Sequence, residues 1–338
     1  MSRVSSISDG PTWLFSIAIL RDHSGRLSFL FESNPVVADT GVRWPIFQAP
    51  MGWIARSPLV SAVAEAGALG IMETSSREFD AIRSEMARMR ELTSRPWAVN
   101  LPLSFLRRGD SIVEDILDAG IRFVTTSAGH PARYTDRLKQ AGITVYHAVP
   151  NVEAALRAED AGVDGLIVEG AESAAFRSPR EVHTMTLVPA VRRRTRLPIV
   201  AAGGIADGTG MAAAFALGAD GVQLGTRFLC SAESPVHADY KAAVTAAGLF
   251  DTTVVNRGIG PCVRALRAAL TQALGDGAAS FAEALRATPT MYFNGDITGG
   301  LASAGESSAL IDEVLPCAKI VTDLVDQFTA AIERLGRT

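Results

Sequence analysis

Between residues 44 and 226 the chain repeats one pattern. A segment with helix-like spacing of apolar positions ends in Ala-Gly or Leu-Gly, and a short run rich in β-branched residues follows. The pattern reads A-E-A-G-A-L-G-I at 64–71, L-D-A-G-I-R-F-V at 117–124 and K-Q-A-G-I-T-V-Y at 139–146. It returns as E-D-A-G-V-D-G-L-I-V at 159–168 and A-L-G-A-D-G-V-Q-L at 216–224. Helices commonly stop at a left-handed residue, a conformation that glycine enters without a Cβ clash. Each of these glycines therefore marks a predicted helix end. Eight strands are predicted, at 44–49, 68–74, 96–101, 123–128, 144–149, 165–170, 198–203 and 221–226. Helical stretches separate them, for example 58–66, 77–92, 152–161 and 209–217. Most of the strand runs are nearly continuous in apolar residues, as expected of parallel strands covered on both faces. Eight such units fit a closed TIM (β/α)8 barrel of the α/β class better than an open sheet. A doubly wound sheet is the structural runner-up, but no G-x-G-x-x-G follows the first strand.

The flanks read differently. Apolar runs at 12–20 and 27–31 enclose Asp22-His23-Ser24-Gly25, which predicts a hairpin or short extension before the barrel, within 1–34. After about residue 235 the cadence changes: 236–290 reads as Ala-rich and helical, Asn294 to Gly305 as a glycine-rich loop, and 318–335 as an amphipathic helix. The predicted organisation is a barrel over 35–235 and 306–338, interrupted by a helical insertion or lid at 236–305.

In this fold the reacting groups lie at the carboxyl ends of the strands. The seventh predicted strand ends in A-A-G-G-I-A-D-G (201–208) and the eighth in Q-L-G-T-R-F (223–228). Gly203 and Gly204 let backbone amides approach an anion, Asp207 is placed to cap the next helix, and Gly225 and Thr226 add amides and a hydroxyl. Tight structural turns are the plainer alternative, but glycine turns after both of the last two strands favour a phosphate site. The first strand ends in Q-A-P-M-G-W (48–53), where Pro50 fixes the backbone and Gly52 admits a planar ring. Asn100, ending the third strand, can donate and accept, which suits a flavin pyrimidine edge; it could equally form a turn. The sixth strand ends in V-E-G-A-E-S-A-A-F-R (168–177), with Glu169 and Glu172 as polar candidates. Among the histidines His130, after the fourth strand, ranks first for acid–base work, ahead of His147, inside the fifth strand, and His183; a structural histidine is the commoner case.

Composition narrows the partners. The net charge of −4 gives no basic field for nucleic acid or anionic lipid, and no apolar run reaches membrane-spanning length. The three cysteines, Cys230, Cys262 and Cys317, lack disulfide or metal-ligand spacing, so no metal site is expected and a reducing, cytoplasmic compartment is.

At these residues the chain resembles the nitronate monooxygenase family, also called 2-nitropropane dioxygenase-like, and the related FMN-dependent enoyl-acyl carrier protein reductases. The motifs P-I-F-Q-A-P-M-G, I-V-E-G-x-E, T-M-T-L-V-P, A-A-G-G-I-A-D-G and G-V-Q-L-G-T-R-F carry the resemblance from about Pro45 to the C-terminal helix. It implies an FMN-containing barrel. The isoalloxazine is expected near Ala49, Pro50, Met51, Gly52 and Asn100, and the phosphate near Gly170, Gly203, Gly204, Gly225 and Thr226, with Glu169 and Gln223 completing the pocket. One departure stands out. Nitroalkane-oxidising members carry a general-base His after E-x-G-G; here the stretch is Glu172-Ser173-Ala174-Ala175-Phe176, so Phe176 occupies the His position and cannot exchange a proton. The Lys that follows the fifth-strand His in some members corresponds to Ala148.

The resemblance implies oxidation of an alkyl nitronate or similar stabilised carbanion with O2. The alternatives are an NAD(P)H-dependent flavin reductase of an enoyl thioester or quinone, and, from another class, a flavin-free phosphate-binding barrel. A small-molecule substrate and a homodimer are expected.

Overall fold

The computed structural model describes residues 31–107, 111–257 and 261–337. Six parallel strands follow one another: β1 (Ile46–Gln48), β2 (Leu69–Met72), β3 (Trp97–Pro102), β4 (Phe123–Ser127), β5 (Thr144–Val149) and β6 (Gly165–Glu169). The next strand, β7 (Ala175–Arg177), leaves the barrel, and β8 (Ile199–Ala202) and β9 (Gly221–Leu224) complete it. The order β1-β2-β3-β4-β5-β6-β8-β9 closes on itself through β1 against β9, with Phe47 opposite Gln223. This is the predicted TIM barrel, and each of the eight predicted strands contains its observed counterpart to within a residue. The five helix-stopping glycines read from the repeat, Gly67, Gly120, Gly142, Gly162 and Gly218, all have φ between 72° and 103°, the region where a side chain would be strained.

Alternation along the strands separates two packed layers. Ile46, Val99, Val124, Val145, Leu166, Ile199 and Val222 face the surrounding helices. Phe47, Ile71, Ala98, Phe123, Tyr146, Ile167 and Val200 form a second, separate cluster inside the barrel. There Tyr146 lies 4.9 Å from Phe123 between ring centroids, and its hydroxyl donates to Asp39 Oδ2 at 2.6 Å. Burial raises the Tyr146 pKa, so the phenol stays a donor. The packed interior leaves open space at the carboxyl ends of the strands.

The insertion departs from the predicted helical reading. It contains helices Ala238–Thr245, Ala269–Gly275 and Phe281–Asn294, but also β10 (Thr252–Val255) and β11 (Cys262–Leu266). These pair antiparallel, and β11 also pairs with β7, placing Val263 opposite Phe176. A three-stranded sheet thus joins the insertion to the loop after β6. Arg264 ties them together: it donates to the Ala171 carbonyl at 3.1 Å and to Thr252 Oγ1 at 3.1 Å, and pairs with Glu306 at 2.8 Å. The predicted C-terminal helix runs Cys317–Leu335 and packs on helix Gly208–Ala216. A Cβ on Gly208 would stand 2.2 Å from the Leu324 carbonyl oxygen, so glycine is needed for this closure. The predicted hairpin at 12–20 and 27–31 lies, except for Phe31, outside the described residues.

Candidate active site

A cavity of about 610 Å3 opens at the carboxyl ends of the strands. Its wall includes Ala49, Pro50, Met51 and Gly52 after β1, Asn100 on β3, Glu169 on β6, and Gly203, Gly204, Gln223, Gly225 and Thr226 beyond β8 and β9. These residues, scattered over nearly two hundred positions of sequence, are brought together because every strand runs in the same direction.

The two glycine turns lie side by side because Ala202 pairs with Gln223 across β8 and β9. Gly203 and Gly204 have φ of 97° and 76°. A Cβ on Gly203 would meet the Gly170 carbonyl oxygen at 2.9 Å, whereas Gly204 has Glu172 Cβ as its nearest neighbour at 3.4 Å. The following helix is capped by Asp207, whose carboxylate accepts from Gly210 N–H at 2.7 Å. Thr226 Oγ1 accepts from Gly305 N–H at 3.0 Å, which draws the glycine-rich segment over this corner. Gly170 sits behind the wall, not on it: a Cβ there would fall 2.0 Å from Thr184 Oγ1. Its role is to let helix Thr184–Arg192 approach. Glu172 anchors that helix, accepting from Thr184 N–H and Oγ1 at 3.0 Å.

The opposite side of the cavity is polar and ordered. Asn100 Oδ1 accepts from Thr125 Oγ1 at 3.0 Å, and its Nδ2 donates to Ser127 Oγ at 3.3 Å. One N–H of the carboxamide remains for a ligand. Gln223 Oε1 is buried with no hydrogen-bond partner. A buried acceptor without a donor is costly, and a ligand N–H or O–H would satisfy it. Burial raises the Glu169 pKa against the lowering effects of Ser173 and Arg177. Together these features fit FMN: a glycine-lined corner for a phosphate, and a wall of amide groups for a flavin edge. Gly52 contributes differently from the expectation, since Ser75 Oγ, 2.7 Å from where its Cβ would be, claims the space.

The histidine ranking changes. His130 does not line the cavity; it precedes a short 3-10 turn, where its Nδ1 accepts from Ala132 N–H at 3.3 Å. His183 precedes helix Thr184–Arg192, with its side chain 57% exposed and 3.7 Å from Glu172, and it also stays off the wall. His147 is the histidine that reaches the cavity. It is buried, its Nδ1 is 2.7 Å from Thr126 Oγ1, and burial, with a smaller contribution from His130, lowers its pKa to about 4. The sequence signal was its place two residues from the end of β5, opposite Thr126 in register. Arg157 and Arg177 also line the cavity and were not anticipated.

Phe176 stands at the cavity mouth, 42% exposed, its ring edge-on to Phe105 with centroids 5.7 Å apart. Ala175 beside it has φ of 56°, a left-handed conformation that glycine would adopt without strain. The cysteines of the described residues are free and buried, and burial pushes Cys230 up to about 11, leaving it an unreactive thiol. No group of metal-binding side chains occurs among the described residues, and no helix there is long and apolar enough to cross a membrane.

Comparison with known proteins agrees with this geometry. The chain is 35% identical over 258 residues to a Mycobacterium tuberculosis (3aS,4S,5R,7aS)-5-hydroxy-7a-methyl-1-oxo-octahydro-1H-indene-4-carboxyl-CoA dehydrogenase, spanning 75% of this chain and 72% of that one. It is 28% identical over 351 residues to a nitronate monooxygenase of Paraburkholderia phytofirmans, spanning 87% and 95%. Among solved structures, FabK from Thermotoga maritima superposes with a TM-score of 0.84 at 35% identity, covering 89% of this chain and 98% of that one. A nitroalkane oxidase from Streptomyces ansochromogenes gives 0.78 at 27% identity, covering 89% and 99%. The family model for nitronate monooxygenase matches residues 34–112 and 105–327. The chain belongs to the nitronate monooxygenase family and is an FMN-dependent oxidoreductase.

Proposed function

We propose that the enzyme reduces the carbon–carbon double bond of an apolar enoyl thioester, drawing its electrons from NADH or NADPH. The observation that carries this reading is Phe176, an exposed aromatic at the mouth where a proton-accepting His would stand. It removes the base that a neutral nitroalkane requires and gives the entrance an apolar surface shared with Phe105. The 35% identity to a dehydrogenase of a bulky alicyclic CoA thioester supports the same substrate class. When bound, FMN supplies the centre that accepts hydride from the nucleotide and passes it to the substrate. The chain's own residues do the rest. Gly203, Gly204, Gly225 and Thr226 hold the phosphate, Asn100 is oriented by Thr125 and Ser127, and the β7–β11 sheet narrows the entrance. Glu169, whose pKa burial raises, is the carboxyl of the cavity wall placed to exchange a proton.

Oxidation of an alkyl nitronate with O2 is the second reading, and Phe176 favours it specifically over nitroalkane oxidation, because a nitronate is already deprotonated at carbon. Two measurements separate the readings. Anaerobic bleaching of the flavin by NADH or NADPH, followed by reoxidation with an enoyl thioester and recovery of the saturated product, is expected on the first. Oxygen uptake with a nitronate but little with the parent nitroalkane is expected on the second. A flavin that NADH and NADPH leave oxidised rules out the reductase; equal oxygen uptake with nitronate and nitroalkane rules out the role given to Phe176.

A further inference from the structure

Two arginines, Arg157 exposed and Arg177 with a buried side chain, line the cavity with donor capacity that the protein leaves unused. Arg157, on helix Val152–Asp160, lines the cavity, yet no hydrogen bond or ion pair engages its guanidinium among the described residues. Glu153 and Asp160, its neighbours one turn away on that helix, form no ion pair with it. Arg177 lines the same cavity with its side chain 4% exposed. Its Nη1 donates to the Ser173 carbonyl, but its Nε is buried without a hydrogen-bond partner, and Glu181 Oε1 stands 3.9 Å away.

The nearby carboxylates are shared among several arginines, and Glu181 divides its two oxygens between Arg177 and Arg257. Glu181 pairs with Arg257 at 2.7 Å and Glu306 with Arg264 at 2.8 Å. Burial raises the Glu169 pKa, against the lowering effect of Arg177 itself. Burial works most against the Arg177 charge and Arg264 adds to that, while Glu169, Glu181 and Glu306 support it. A buried guanidinium with incomplete pairing is costly and is relieved by an anion. On the reading above, the glycine corner after β8 and β9 would take the FMN phosphate, and it includes neither arginine.

We propose that Arg157 and Arg177 form a second anion-binding arm of the cavity, which takes the diphosphate of a nucleotide-bearing reactant, either a coenzyme A thioester or a nicotinamide dinucleotide. This rests on the thioester-reductase reading and specifies how that site recognises its reactants. Arginine suits the task because its planar fork matches phosphate oxygens in pairs.

The test uses the FMN-loaded enzyme and Arg157→Gln, with Arg157→Lys as the charge-retaining variant. Steady-state kinetics are measured with an enoyl-CoA, with the same enoyl group on N-acetylcysteamine, and with NADH and NADPH. Loss of one charge-assisted contact predicts a KM increase of about tenfold to a hundredfold at nearly constant kcat. If the increase falls on enoyl-CoA and spares the N-acetylcysteamine thioester, the arm reads coenzyme A; if it falls on the dinucleotide, the arm reads that partner. Partial recovery in Arg157→Lys is expected in either case. Unchanged KM for every reactant overturns the proposal, as does loss of bound FMN from Arg157→Gln, which would give the arginine to the cofactor. Should the parent enzyme reduce neither thioester, the thioester reading fails on its own. Calorimetric titration of coenzyme A, NADH and NADPH into parent and variant still decides the arm: weaker binding to the variant upholds it, and equal or absent binding of all three overturns it.

Discussion

Replacing Gly203 with alanine probes the phosphate corner most directly. The residue has φ of 97°, and its added Cβ would stand 2.9 Å from the Gly170 carbonyl oxygen and 3.1 Å from Thr184 Oγ1. Neither neighbour can withdraw easily, because Gly170 N–H is bonded to Ala202 O at 2.8 Å and the Thr184 hydroxyl to Gly203 O at 2.9 Å. The left-handed conformation costs a non-glycine residue roughly 1–3 kcal/mol. The turn can relieve that strain by rotating its peptide, but the rotation turns an amide away from the phosphate. Taking about 2 kcal/mol as the part returned on binding, the FMN dissociation constant rises roughly 30-fold. At fixed excess FMN the cofactor's contribution to stability falls by the same about 2 kcal/mol. Gly204→Ala is the internal comparison: φ is 76° and the nearest contact 3.4 Å, so only the backbone strain applies and the loss is smaller. Fluorescence titration of FMN into the apoprotein, with thermal melts of apo and loaded forms, measures both quantities. A Gly203→Ala protein with unchanged FMN affinity and unchanged apo stability would refute the reasoning, because strain and clash would then have no energetic consequence.

Three further outcomes are expected. Phe176→His places a titratable ring at the cavity mouth, and the ratio of nitroalkane to nitronate oxidation should rise at least about tenfold, more steeply as the ring deprotonates above its ordinary pKa; oxygen uptake across pH measures it, and an unchanged ratio rejects the assignment of that position. His147 is neutral in the fold, with a pKa lowered from 6.5 to about 4, so the unfolded chain takes up the proton first on acidification. Stability should fall by about 3 kcal/mol between pH 6.5 and pH 4, and His147→Gln should remove that part of the slope in denaturant unfolding; an identical slope would disprove it. Arg264→Met severs Ala171, Thr252 and Glu306 from one another and should cost about 2 kcal/mol, less than a fully buried pair because Glu306 is 38% exposed. Hydrogen exchange should then quicken in β10, β11 and β7 while the barrel strands keep their protection; uniform loss would show the sheet to be inseparable from the barrel.

The barrel was legible because its strands are covered on both faces. Most became nearly continuous apolar runs, and five of the helices before them stopped at a glycine that the structure finds at positive φ. The glycine turn after β8 was legible for a related reason: Gly203 and Gly204 have backbone angles that announce themselves as glycine. The insertion was not. β10 and β11 are four and five residues long, and β11 owes its second neighbour to β7, whose Ala175 pairs with Arg264 far along the chain. Helical propensity in the Ala-rich surroundings outweighs so short a signal, and long-range pairing has no local signature. The histidines failed for another reason. Position at a strand end favoured His130, but Pro131 begins a 3-10 turn there and the imidazole is used to cap it. His147, two residues inside its strand, reaches the cavity instead.

The loop after β6 shows how the side chain at 176 is presented to the cavity. Ala175 keeps a φ of 56° although alanine, unlike glycine, is strained there. The backbone is held in that shape by three pairings with β11, from Ala175 opposite Arg264 to Arg177 opposite Cys262. The side chain at 176 is therefore still delivered to the mouth of the cavity, against Phe105. The β11 pairing thus maintains, against a local cost, the geometry that presents this aromatic side chain. Because the pairing with β11 accounts for the strained turn by itself, the ring at 176 is read for its own chemistry: an apolar surface, shared with Phe105, that a substrate entering the cavity would meet.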